Sequence, residues 1–341
     1  MERSEQDIAK RFGNLVQISK TKTSTIYQAI SLATSSPVVL KHLNDNLLKT
    51  NEAQQNALLE YKIASKLKYH PNIVKYESVI YHGSYIFFEM ELCELGSLEA
   101  YCRNKSLRTG GTENEYFWSF ALDILSGLAY LHTKGYVHGD IKPGNIFLSG
   151  HPQSVYPVAK LGDFGLSRKI GIGVHFVSGK KNYKKGDGQY LAPELLSKSH
   201  AVSDKSDVYS LGITFFQLAS DLRASDEMWE EILKLDGNIE ARKNGFSEEL
   251  SSILCKMLQH NPSARPEVVS ILLENDKFRK VAEMSGKAFE VYRSYPEDNF
   301  EIEDMDGGSD EVRSDSEELM IEKQNIELRR KQTDSVRKKL F

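Results

Sequence analysis

The chain has 341 residues, 40% of them apolar and 27% charged, enough for a buried core under a solvated surface in two domains, or in one two-lobed domain plus a tail. Its 44 basic and 48 acidic side chains leave a net charge of −4, which excludes a globally basic nucleic-acid binder. Three cysteines (Cys93, Cys102, Cys255) form neither a disulfide framework nor a metal-ligand spacing and point to a reducing compartment. The opening residues carry no apolar signal core. The most apolar run, Leu211 to Ala219, is shorter than the roughly 20 residues a membrane span needs. The expectation is an intracellular protein, nuclear or cytoplasmic, without a membrane span and without a nucleic-acid partner.

Residues 12–43 read as strands: Leu15, Val16 and Ile18 precede a Ser/Thr/Lys turn, Ile26, Tyr27 and Ile30 follow it, and Val38-Val39-Leu40 is a β-branched run after Pro37. A helix is predicted over 51–68, where Leu59, Ile63 and Leu67 recur every four positions. Two further strands are expected around Ile73–Ser78 and Tyr85–Met90, with Gly83 between them. After Gly96 the pattern turns helical. Thr112 and Glu115 read as a capping box; Phe117, Ala121, Leu125 and Leu128 mark one helix face, and Gly135 ends it. A loop-rich stretch runs to about Glu194, followed by an apolar helix over 204–220 and more helices to about Lys280. The fold class is therefore α+β and bilobal, a small β-rich lobe (about 12–92) before a larger helical one (about 96–280). Residues 281–341 form a charged tail. Within it, residues 297–318 hold eleven acids against one base, Arg313, too polar to order by burial.

Three segments carry chemistry in order: His138-Gly-Asp140-Ile-Lys142-Pro-Gly-Asn145, Asp163-Phe-Gly165 and Ala192-Pro-Glu194. Upstream, Lys41 ends an apolar strand, and Glu60 follows nineteen residues later on the predicted helix. Phosphoryl transfer asks for positioning and charge neutralisation more than covalent help. Lys41 is a point cation for phosphate oxygens, and Glu60 can partner it. Asn145 and Asp163 offer oxygen ligands to the hard cation Mg²⁺. Asp140 can accept or orient the proton of a substrate hydroxyl, and Lys142 can neutralise the transferring phosphoryl group.

This ordered set resembles the protein kinase signature, over roughly residues 12–280. The resemblance implies ATP and Mg²⁺ as cofactors and a protein substrate. It implies a base pocket formed by Ile18, Ile26, Val39 and Phe147, with Met90 as gatekeeper and the backbone of Glu91 and Cys93 against the purine. It further implies that Glu194 pairs with Arg265, and that Asp207 braces the catalytic loop.

Several positions depart from the pattern. Where the phosphate-covering loop normally carries glycines stand Ser19, Thr21 and Ser24, which should stiffen it. Val39 replaces the usual alanine. Gly139 replaces an arginine that ordinarily receives an activation-loop phosphate, so activity is expected without that phosphorylation. Gly186-Asp187 stands where most serine/threonine kinases read Gly-Thr, and this resembles the Wee/Myt family of cyclin-dependent-kinase inhibitory kinases. Lys142–Phe147, Ser206–Thr214 and Trp229 agree with that family. Asp187 is expected to pair with Lys142. The activation segment carries Arg168, Lys169, Lys180, Lys181, Lys184 and Lys185, a solvated loop or a surface for acidic partners. Lys338-Lys339-Leu340-Phe341 resembles a cyclin-docking motif. Two function classes follow: an active kinase acting on a cyclin-dependent kinase, or a pseudokinase scaffold with weak or no ATP turnover.

Overall fold

A computed structural model describes residues 8–21, 24–43, 51–82, 85–104, 115–151, 156–171, 187–196, 202–220, 226–238 and 246–287. The chain divides into two units, Met1–Arg293 and Ser294–Phe341, and all described residues belong to the first. The acidic stretch and the Lys338–Phe341 motif lie outside the described residues, as do Thr112, Gly83, Gly186 and the lysines at 180–185.

The first lobe is an antiparallel sheet of β1 (Phe12–Lys20), β2 (Ser24–Ser31), β3 (Pro37–Leu43), β4 (Tyr76–His82) and β5 (Tyr85–Glu91), in the order β1-β2-β3-β5-β4. Alternation sets its faces: Val38 and Leu40 on β3 enter a small core with Ile8, Phe12, Ala29, Ile80 and Phe87. Helix α1 (Asn51–Lys66) crosses between β3 and β4 and buries Ile63, with Leu67 just past its end, as the four-residue spacing requires.

One expected strand starts later than its pattern suggests. Ile73 and Val74 are apolar, but the backbone of 72–74 is not spent on the first sheet. Val74 N–H donates to the Leu161 carbonyl and Leu161 N–H to the Asn72 carbonyl (2.8 and 2.9 Å). This segment reaches into the second lobe, and β4 begins only at Tyr76.

The second lobe is built on α3 (Glu115–Thr133), which follows α2 (Leu98–Asn104) and is buried on nearly all sides from Phe117 to Leu131. Gly135, at φ +80°, takes the left-handed turn that ends it. Short strands follow: β6 (Tyr136–Val137), β7 (Ile146–Ser149), β8 (Val158–Leu161) and β9 (Arg168–Lys169), paired β6 with β9 and β7 with β8. Helix α4 (Asp204–Ser220) begins at a reciprocal cap: Ser203 N–H donates to the Ser206 hydroxyl, and Ser206 N–H to the Ser203 hydroxyl (2.9 and 3.3 Å). After it come α5 (Asp226–Leu235), α6 (Glu248–Met257), α7 (Val268–Glu274) and α8 (Asp276–Ser285). The last described helix runs past Lys280, where the sequence pattern placed the end of the helices. Helix α8 continues to Ser285, and Lys287 beyond it is ion-paired to Asp123 inside α3.

Candidate active site

The cleft between the lobes is assembled around Lys41. Its ammonium donates to Glu60 Oε1 and to Asp163 Oδ1, both at 2.7 Å. β3 supplies the lysine, α1 the glutamate, and the turn after β8 the aspartate. Asp163 reaches this place in a left-handed backbone conformation (φ +63°), a strained geometry for a non-glycine residue. Burial opposes the charge of Lys41, but Glu60 and then Asp163 outweigh it and hold the ammonium above the ordinary lysine range. Burial likewise works to raise the Asp163 carboxylate; Lys41, with smaller help from His138 and Lys142, overcomes this and holds it below its ordinary range.

Below the cation lies the loop after β6. Asp140 Oδ2 accepts from Asn145 Nδ2 (2.7 Å) and from Lys142 Nζ (2.9 Å). Asn145 Nδ2 also donates to the Asp140 carbonyl (2.9 Å), which fixes the amide with its oxygen as the remaining donor atom for a ligand. The loop is braced from beneath. Asp207, buried on α4, accepts from His138 N–H (2.7 Å), Gly139 N–H (2.8 Å) and His132 Nε2 (2.9 Å). His138 accepts from Asp140 N–H at Nδ1 (3.3 Å) and so donates from Nε2 to the Gly162 carbonyl (3.1 Å). Gly139 sits at φ +78°, and a Cβ there would stand 2.8 Å from the Leu166 carbonyl oxygen. The glycine is therefore a steric requirement of this loop as well as the loss of an arginine. Asp187 opens a 3-10 turn (Asp187–Tyr190), but its side chain lies outside the described residues, so the expected pair with Lys142 does too. Arg265 is buried and grips Glu194 with both terminal nitrogens (2.7 and 2.8 Å).

Of the residues expected at the base, Ile26, Val39 and Met90 share one face of the sheet with Lys41: Ile26 pairs with Lys41 across β2–β3, and Val39 with Met90 across β3–β5. Phe147 on β7 is half-buried, and 95–97, the segment after β5, bonds to its strand. Ile18 is 51% exposed on β1, beside a register shift between Gln17 and Ser19. Glu91 N–H is donated to the Lys75 carbonyl, so its backbone can offer a base only its carbonyl. Its side chain takes two bonds from Lys160 Nζ (2.8 and 2.9 Å), tying the end of β5 to β8. Cys93 is buried; burial first, then Glu91, pushes its thiol up to about 12, which removes it as a nucleophile at neutral pH. The sequence pattern did not mark Lys160 or Tyr76, whose hydroxyl donates to Glu60 at 2.7 Å. Neither sits in a motif, and their partners are distant in the chain.

The donor set fits Mg²⁺. Asp163 keeps one carboxylate oxygen beyond the one given to Lys41, and Asn145 keeps its amide oxygen. Among the described residues no group of three or more His, Cys, Asp or Glu forms a metal cage. One carboxylate and one amide suit an ion that completes its octahedron with phosphate oxygens and water.

A two-lobed fold with a lysine–glutamate–aspartate cluster above an aspartate–lysine–asparagine loop has the make-up of a phosphotransferase. Residues 12–275 match the protein kinase domain, and the chain belongs to the protein kinase family, whose members use ATP and Mg²⁺. It is 30% identical over 292 residues to a probable protein kinase of Dictyostelium discoideum, covering 84% of this chain and 78% of that one. It is 33% identical over 219 residues to a membrane-associated tyrosine- and threonine-specific cdc2-inhibitory kinase of Caenorhabditis briggsae, covering 62% of this chain and 31% of the relative. With a Wee1-like protein kinase of Arabidopsis thaliana the identity is 26% over 261 residues, 76% of this chain and 48% of the relative. The chain thus resembles the Wee family and spans less than half the length of the latter two relatives. No helix among the described residues is long and apolar enough to cross a membrane.

Proposed function

We propose that this chain is a Wee/Myt-like inhibitory kinase that transfers the γ-phosphate of ATP to a Ser, Thr or Tyr hydroxyl of a cyclin-dependent kinase, in cell-cycle control. The observation that carries the catalytic reading is Lys41 held at 2.7 Å from both Glu60 and Asp163, with Asp140 and Asn145 bonded to each other beneath them. Lys41 positions phosphate oxygens. Asn145 and Asp163 hold Mg²⁺, which, when bound, neutralises charge on the phosphates. Asp140 orients the acceptor hydroxyl and receives its proton. Lys142, 2.9 Å from Asp140 Oδ2, offsets charge on the group in transfer. Ile18, Ile26, Val39, Met90 and Phe147 enclose the base, and the Glu91 carbonyl and the Cys93 backbone face it. The names of the Wee-like relatives and the Gly186-Asp187 pair support the substrate class, and Lys338–Phe341 would dock a cyclin. Residence in the nucleus or cytoplasm belongs to the same reading.

The pseudokinase reading draws on the phosphate loop. Thr21 N–H donates to the Ser24 carbonyl (2.8 Å) and Ser24 N–H to the Thr21 hydroxyl (3.0 Å), so two amides that could meet phosphate are used inside the hairpin. An assay with Mg-ATP and a cyclin-dependent kinase–cyclin complex separates the two readings. Wild type should phosphorylate the kinase subunit, and Asp140→Asn should lose roughly 100-fold or more. Equal and negligible incorporation by both would leave the scaffold reading standing.

A further inference from the structure

Glu60 is where α1 meets the cleft, and Lys41 is not its sole partner. Its Oε1 accepts the Lys41 ammonium and the Tyr76 hydroxyl, each at 2.7 Å. Tyr76 opens β4, so this second bond ties α1 to a different strand from the one that carries the lysine. The phenol is buried, and its ring centroid stands 6.0 Å from those of both Phe88 and Phe164. A ring held between two aromatic neighbours delivers its oxygen to one place. Phe164 in turn lies 5.4 Å from His138, which receives the Asp140 amide. A carboxylate as buried as Glu60 is stable only with its lone pairs satisfied. A bond to an ionised acceptor is also stronger than one between neutral groups.

We propose that Tyr76 is a positioning residue for phosphoryl transfer: its hydroxyl fixes Glu60, and with it α1, where the carboxylate can hold Lys41. Tyr76 touches no reacting atom. Burial, then the Glu60 charge, holds the phenol above its ordinary range, which favours the protonated, donating form.

Tyr76→Phe removes one oxygen and keeps the ring, so the full-length variant separates the bond from the packing. We expect kcat/KM for ATP to fall about ten-fold, the worth of a hydrogen bond to a charged group. Amide hydrogen exchange in α1 should quicken while that in α3 is unchanged. In a Glu60→Gln background the same substitution should add less than a two-fold loss. The proposal is overturned if α1 exchange in Tyr76→Phe matches wild type, or if the ten-fold loss persists without the Glu60 carboxylate. It is equally overturned if Tyr76→Phe lowers the melting temperature as far as Tyr76→Leu, which removes the ring too. Exchange and melting temperature are read without turnover, so a chain that bound no ATP would sink the catalytic reading and still test this one.

Discussion

Lys41 sits between two carboxylates where little water reaches, and its loss would be felt by both. Lys41→Met leaves Glu60 buried without its cation; breaking a buried pair in this way costs about 3–5 kcal/mol, and transfer activity should fall beyond detection. The pH dependence has a definite sign. Lys41 is raised in the folded state, so its contribution is complete below the ordinary lysine value of 10.5 and is lost as pH rises past it. Asp163 is depressed, so its contribution is present above 3.8 and is lost as pH falls below it. Denaturant midpoints of wild type and Lys41→Met should therefore differ most between about pH 5 and 9 and converge toward both ends. Lys41, Asp140, Asn145 and Asp163 were legible because phosphoryl transfer restricts residue type and order. Tyr76 and Lys160 were not, because a tyrosine or lysine in a strand looks the same whether its tip meets water or a carboxylate 16 or 69 residues away.

At the scale of elements, the β1–β2 hairpin and helix α8 each carry a bond that periodicity does not show. Thr21 and Ser24 close the hairpin on itself. Replacing both by glycine removes the hydroxyl acceptor and frees the Ser24-position amide for phosphate. The KM for ATP should then fall about five-fold, the worth of one neutral hydrogen bond, in steady-state kinetics; an unchanged or higher KM would show the closed hairpin to be the better cradle. At the other end of the domain, Lys287 Nζ bonds Asp123 Oδ2 (2.5 Å), the Ser119 hydroxyl (2.7 Å) and the Pro157 carbonyl (3.2 Å). A lysine after the last helix reads as solvated tail, and only the packing of α8 on α3 brings it to a buried acid. Burial raises the Asp123 carboxylate even with Lys287 present. Lys287→Met should cost about 3–5 kcal/mol at pH 7.5. A raised carboxylate loses stability as pH rises, so the deficit should be smaller at pH 5 than at pH 7.5, the direction in which Asp123 moves toward its protonated form. Thermal unfolding at the two pH values measures this, and a deficit independent of pH would contradict it.

Across the whole molecule, the lobes are joined by backbone as well as by the cleft. Asn72 Nδ2 donates to the Ala159 carbonyl (3.0 Å), Val74 N–H to Leu161, and Glu91 receives Lys160. The Asn72 carbonyl lies against α3 at Gly127, where a Cβ would stand only 2.5 Å from it. Gly127→Ala should therefore cost about 1–3 kcal/mol by overpacking, despite the better helix propensity of alanine. The melting temperature should fall and kcat with it, since the wedge separates the lobe that holds Lys41 from the one that holds Asp140. A stabilised variant would refute this placement of the two lobes. The sequence by itself determined the two-lobed α+β class, the elements with clear periods and the candidate residues that meet in the cleft, because local propensity and reaction chemistry act on residue type and spacing. Only the tertiary structure decided that 72–74 leaves its sheet for β8, that Gly139 and Gly127 are sterically required, that the Tyr76 hydroxyl meets Glu60, and that Lys287 packs against Asp123. Each of these is a contact between atoms far apart in the chain, and such contacts leave no periodic trace.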